Sequence, residues 1–176
     1  GHSYQTVQIG DQCWMAENLA YLPEVSPPSQ GSVTDPYYYV DEYQGTSVAE
    51  AKATVNYQTY GVLYNWPASL DAFPEGWHLP TDNEWKILEG TVDNQYPVGD
   101  PEWDATGWRG LDAGGNLKDT GTMLWKNPNI GATNSSGFTA LPGAIRYTNG
   151  AFTSATSRGY WWSSSQDDAS NAWSRD

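Results

Sequence analysis

Glycine or proline interrupts this chain every few residues, with 18 Gly and 11 Pro among 176 positions. Proline removes a backbone donor, and glycine loses the most conformational freedom on ordering, so neither suits the interior of a long regular element. The chain is therefore confined to short elements joined by long loops. Side chains must hold such loops in place, and 10 Trp and 12 Tyr are present to do so. Large amphipathic rings bury enough apolar area to pin irregular backbone, and they also suit a surface that grips another molecule. A length of 176 residues without internal repeat or linker is read as one α+β domain over residues 4–176. Gly1-His2-Ser3 reads as a remnant of expression, which removes His2 from the chemistry.

Charge excludes several function classes. The net charge is −13 and the pI about 4.2. No basic patch exists to displace counterions from nucleic acid, and an anionic membrane surface would repel the chain. No apolar run approaches the roughly 20 residues that span a bilayer. No signal peptide is present, so an export signal is expected to have been removed or to lie outside this sequence. Cys13 is the one cysteine, which rules out an internal disulfide and a cysteine-rich zinc site. It reads either as a buried thiol or as half of a disulfide whose partner lies outside the chain.

The clearest local signal is "GWHLPTDNEWKILEG", Gly76 to Gly90. Thr81-Asp82-Asn83-Glu84 has the capping-box pattern, in which the threonine hydroxyl and the glutamate carboxylate each accept the other's backbone amide. Trp85, Ile87 and Leu88 then share one face, Asp82 suits the positive end of the helix dipole, and Gly90 is a natural stop. Elsewhere, "YQTVQI" predicts a strand with a Gly10-Asp11 turn, and "CWMAENLAYL" a strand or bend that buries Trp14 and Leu19. Pro23–Asp35 reads as loop and "YYYVDEY" as strand. "SVAEAKATVNYQTYGVLYNW" carries helix formers, with Val62, Leu63 and Trp66 at helical spacing. "AGGNLK" predicts a tight turn, "GFTALPGAIRYTNGAFTS" a hairpin turning at Asn149-Gly150, and "GYWWSSSQDD" an aromatic strand.

Catalytic signals are weak. There is no nucleophile elbow, P-loop or dinucleotide fingerprint. His78 lies between Trp77 and Leu79-Pro80 and reads as a half-buried structural ring rather than a base. Transition metals lack a ligand set. Calcium needs only oxygen, and Asp100, Glu102, Asp104, Asp112, Asn116 and Asp119 sit in predicted loops, though at no EF-hand spacing. Two readings stay open: solvated acidic loops, or loops stapled by calcium.

Taken together, "IGDQCWMAENLAYL", "YGVLYNWPASL", "GWHLPTDNEWKILE", "GFTALPGAIRYTNGAF" and "GYWWSSSQDDASNAWSRD" closely resemble the Fibrobacter succinogenes major paralogous domain, in the family order and over nearly the whole chain. The resemblance implies a C-type-lectin-like fold with two short helices, small antiparallel sheets and long loops. It implies kinship with formylglycine-generating enzymes and with the variable proteins of diversity-generating retroelements. It also implies a secreted or outer-membrane-attached protein, often a lipoprotein or pilus-associated adhesin. The copper-binding cysteine pair of the formylglycine-generating enzymes has no counterpart here, so their oxidase activity does not carry over. Family members usually continue past the position of Asp176 into a strand ending in a cysteine-containing segment. Its loss would leave a sheet edge unpaired and remove the expected partner of Cys13.

The resemblance places a ligand surface in the C-terminal part. Its candidate contacts are Arg146, Tyr147, Asn149, Arg158, Tyr160, Asp167, Asp168, Asn171 and Trp173. Local chemistry agrees, because Tyr and Trp are rigid anchors while Ser and Asn are adaptable partners. Gln166, Asp167, Asp168, Ser170 and Asn171 follow an aromatic strand and carry no helix-cap pattern. They therefore read as polar residues without a structural task. Trp162 is expected in the core. The resulting expectation is a non-enzymatic module that binds an extracellular protein or glycan. A structural subunit of a surface fibre or pilus tip is the alternative, and an oxidase relative stands behind both.

Overall fold

The structure, a computed structural model, describes residues 2–153, 156–169 and 171–176. Gly1 and Ser170, both invoked above, lie outside the described residues. The chain begins with β1 (Thr6–Ile9), β2 (Gln12–Met15), β3 (Tyr38–Tyr39), α1 (Val48–Lys52), α2 (Val55–Tyr60) and β4 (Leu63–Tyr64). It continues with α3 (Trp66–Asp71), α4 (Asp82–Val92), a 3-10 turn (Pro101–Asp104), α5 (Ala113–Leu117), β5 (Trp161–Gln166) and β6 (Ala172–Arg175). Strands pair antiparallel as β1–β2, β3–β4 and β5–β6, so the fold is α+β with short helices and small sheets. Five α-helices form among the described residues where two were expected. No helix among them is long and apolar enough to cross a membrane. Internal contacts divide the chain into two compact units: the stretch up to Glu17 with Pro80–Leu141, and Asn18–Leu79 with Pro142–Asp176.

In the first unit, Gly10 turns β1 into β2 at φ 57°, and β2 buries Trp14. The ring of Trp14 meets Trp85 of α4 at 5.0 Å and Phe138 edge-on at 5.7 Å. The capping box forms as read: Thr81 Oγ1 accepts the Glu84 amide at 3.2 Å, and Glu84 Oε2 accepts the Thr81 amide at 2.8 Å. Asp82 pairs with Lys86 one turn on, and Lys86 reaches Asp104 as well. Replacing Thr81 with Ala should cost about 1 kcal/mol in denaturant unfolding, the usual loss for an N-cap, and leave ligand binding unchanged.

Two expectations in this unit fail for the same reason: glycine was read as punctuation where it serves close packing. Gly90 does not stop α4, which runs on to Val92. A Cβ at Gly90 would lie 2.7 Å from the Val98 backbone and 2.9 Å from Trp103 Nε1. "AGGNLK" is no tight turn either, since Ala113–Leu117 is helix. At Gly115 a Cβ would stand 2.2 Å from the Gly131 carbonyl, so only glycine lets that loop approach.

In the second unit, Leu22, Val25, Tyr38, Val40, Ala51, Val62 and Ala68 form the core, with Tyr43, Val48, Tyr57 and Tyr64 against it. Ser47, Thr54 and Asn65 cap α1, α2 and α3 through their side chains. The helical spacing of Val62, Leu63 and Trp66 is misleading. Gly61 at φ 75° ends α2, and β4 pairs Leu63 with Tyr39 and Tyr64 with Tyr38 before α3 begins. "YYYVDEY" contributes only the two residues of β3, and Leu19 is half-buried rather than core. The predicted 137–154 hairpin, whose last residue Ser154 lies outside the described residues, reduces to the antiparallel bridge Arg146–Phe152. β5 and β6 pair with an irregularity between Trp162 and Gln166. The Trp66 indole donates to the buried Ser163 carbonyl at 2.8 Å.

Candidate ligand-binding site

Arg158 and Tyr160, both named from sequence, come together in a pocket of about 290 Å³ that, among the described residues, is also lined by Gly143, Thr153 and Ser157. The pocket belongs wholly to the second unit. The strand-like segment after Pro142 forms one wall: the Gly143 amide donates to the Arg158 carbonyl at 2.8 Å, and the Thr153 amide to the Ile145 carbonyl at 3.0 Å. Thr153 Oγ1 accepts the Ile145 amide at 3.1 Å, which fixes that hydroxyl. Arg158 forms an exposed ion pair with Asp176 at 2.8 Å. The Tyr160 ring is 38% exposed. The site thus offers a guanidinium, two aliphatic hydroxyls and a phenol ring, a set that can hydrogen-bond and stack. Gly143, Thr153 and Ser157 were missed. The Asn149-Gly150 turn signal, which folds Thr153 back beside Ile145, pointed to one of them.

The other C-terminal candidates are placed apart from that pocket's lining. Arg146 braces the fold: Nε donates to the Pro28 carbonyl at 3.0 Å, Nη2 to Gln30, and the guanidinium lies 4.7 Å from the Tyr39 ring centre. Tyr147 and Asn149 are exposed on the turn, where Asn149 Oδ1 accepts the Ala151 amide. Asp167 and Asp168 are exposed, and Asp168 accepts from both the Asn171 amide and its side-chain nitrogen, closing the β5–β6 turn. Asp168 and Asn171 therefore do have a structural task, contrary to the sequence reading. Trp173 is half-buried in β6. Trp162 departs from the expected core position: it is 36% exposed, with its indole donating to the Tyr64 carbonyl at 2.9 Å.

The reactive-looking residues elsewhere also differ from expectation. His78 is exposed rather than half-buried, and Cys13 is an exposed free thiol rather than a buried one. Asp41 is a carboxylate that sequence gave no reason to select. Burial, then the neighbouring Glu42 charge, push its pKa up to about 6 against one backbone hydrogen bond, and its buried Oδ1 has no partner.

The six acidic-loop candidates are engaged in structural hydrogen bonds and ion pairs. Asp100 accepts the Glu102 amide, Glu102 the Gly110 amide, and Asp104 pairs with Lys86. Asp112 accepts from Asn94, while Asn116 bridges the Val92 carbonyl and Thr133. Asp119 anchors the chain through its amide on the Ala140 carbonyl. Among the described residues, no three His, Cys, Asp or Glu side chains group as a metal site would require.

The organising carboxylate of this region is Asp93, again unselected. Its Oδ1 accepts the amides of Gln95 (2.8 Å) and Tyr96 (2.9 Å), and its Oδ2 those of Leu111 (2.8 Å), Asp112 (3.0 Å) and Ala113 (3.1 Å). Burial alone would raise its pKa, but the amides of Tyr96, Gln95, Asp112 and Leu111 hold it down at about 2. Asp93 thereby supplies the start of α5 with the cap that Asp112 does not provide.

These observations define a small α+β module in which side chains hold long loops. The family model of the Fibrobacter succinogenes major domain matches residues 7–176, and the chain belongs to that family. No curated protein and no solved structure matches the chain.

Proposed function

We propose that this chain is a non-enzymatic ligand-binding module of the cell exterior, built on a C-type-lectin-like scaffold, and that it binds through the pocket at Arg158 and Tyr160. The observation that carries the reading is the convergence of a guanidinium, two aliphatic hydroxyls and a half-exposed phenol ring on one concavity of about 290 Å³. That volume lies near the low end for small-molecule clefts, which run from roughly 300 to 1,000 Å³. It suits a small polar ligand or one protruding group of an extracellular protein or glycan. Neither His78 nor Cys13 lines the pocket, which favours recognition over catalysis.

The test is a glycan and protein array probed with the purified chain, with and without chelator. Specific capture that weakens in Tyr160→Ala and survives chelation supports the reading, because among the described residues no carboxylate lines the pocket. Chelator that lowers the melting temperature would instead assign calcium to the acidic loops, since a ligand bound only to the native state stabilises it by mass action. Capture of nothing, together with concentration-dependent filament formation, would favour the fibre-subunit role.

A further inference from the structure

We infer that a second face of this chain, formed by Tyr21, Tyr38, Tyr64 and Trp162, docks a lysine- or arginine-bearing segment of a partner protein. The face begins with the β3–β4 pairing, which sets Tyr38 opposite Tyr64. Their rings meet edge-on at 5.9 Å, and the Tyr21 ring meets Tyr38 edge-on at 6.4 Å. The Tyr64 hydroxyl donates to the Tyr21 carbonyl at 2.8 Å, which locks the loop onto the sheet. The Trp162 indole donates to the Tyr64 carbonyl at 2.9 Å. Tyr38 forms the base at 8% exposure, while Tyr21 at 47% and Trp162 at 36% present their rings to solvent. Two exposed rings joined through the buried Tyr38 and the half-buried Tyr64 give more than one stacking position, which a chain segment uses better than a lone small cation does.

Electrostatics selects the partner's charge. The π-face of an aromatic ring is its negative side and attracts ammonium and guanidinium groups. Glu24 and Asp71 are both exposed, and both act electrostatically on the Tyr38 phenol. Neither is ion-paired among the described residues. The unit that carries this face has ten carboxylate side chains against four Lys and Arg. Of those four, Arg146 is held on backbone carbonyls and Arg158 pairs with Asp176. An acidic segment would be repelled, a neutral one would gain only ring contact, and a basic one gains both terms. This inference is independent of the Arg158–Tyr160 pocket, since neither residue belongs to the face.

The experiment is an NMR titration of the full chain with a short Lys- and Arg-containing peptide. Controls are the same peptide with its lysines acetylated and its arginines replaced by citrulline, and a version carrying Glu at those positions. The basic peptide should shift the Trp162 indole and Tyr21 ring signals, and bind about tenfold more weakly at high than at low salt. The double variant Glu24→Gln/Asp71→Asn keeps the rings and should bind about tenfold more weakly with an unchanged melting temperature. Equal binding of the neutralised peptide overturns the inference. So does a shift map that leaves Trp162 and Tyr21 unmoved, undiminished affinity in the double variant, or no binding.

Discussion

Replacing Asp93 with Ala should lower the unfolding free energy by about 3 kcal/mol, far more than an ordinary surface aspartate would cost. One carboxylate accepts five backbone amides, from the loop after α4 and from the start of α5. Charge-assisted bonds are the stronger kind, and removing their shared acceptor strands several donors at once. The loss stays below the sum of five bonds because the released amides lie on loops that water can reach. Asp93→Asn should recover only part of it, because the amide has one acceptor oxygen and no charge. The pH dependence has a definite sign. The folded pKa, about 2, is depressed below that of the unfolded chain. The stabilisation is therefore complete above the unfolded value, about 4, and is lost as pH falls through 2. Denaturant melts of wild type and Asp93→Asn should accordingly differ most above pH 5 and converge towards pH 2. A constant gap across that range would detach Asp93 from the account.

Replacing Trp85 with Ala should cost about 4 kcal/mol, in the range for deleting a large ring from a packed core. Trp85 is 5% exposed and packs against Trp14 and Phe138, so its removal leaves two rings facing a void. Against a total stability on the order of 5–15 kcal/mol, that loss would bring the chain close to unfolding. Trp85→Phe should cost about half as much, since one ring still fills part of the space. Chemical denaturation of both, beside Thr81→Ala, separates the cap of α4 from its buried face. Equal, small losses for Thr81→Ala and Trp85→Ala would mean that α4 is not anchored through its aromatic contact.

Sequence was most informative where the controlling interaction is local. The capping box of α4 needs only residues three apart, and Gly10 at φ 57° needs only its own missing side chain. It was least informative where a distant group decides. α5 forms over two glycines because Asp93, about twenty residues upstream, accepts the amides at its start. Position 90 within α4 is glycine because the Val98 backbone lies where a Cβ would stand. Neither contact leaves a periodic trace. At the candidate site, Arg158 and Tyr160 were named through the family resemblance, and local chemistry only agreed with it, since Arg and Tyr are common anchors. Asp168 and Asn171 look equally unoccupied in sequence, and only the closed β5–β6 turn reveals their hydrogen bonds to one another. Trp162 was misplaced because a strand alternates faces, and sequence alone does not say which of two adjacent tryptophans turns inward.

The central claim is that recognition belongs to the Arg158–Tyr160 pocket and not to the stretch around His78. The direct measurement is the affinity of Tyr160→Ala, Arg158→Ala and His78→Ala for a ligand selected on the array, each with its melting temperature. The account predicts His78→Ala within about threefold of wild type, and a loss of at least about 1 kcal/mol in Tyr160→Ala or Arg158→Ala with the fold intact. Neutral Tyr160→Ala and Arg158→Ala variants beside a His78→Ala variant that no longer binds would contradict it.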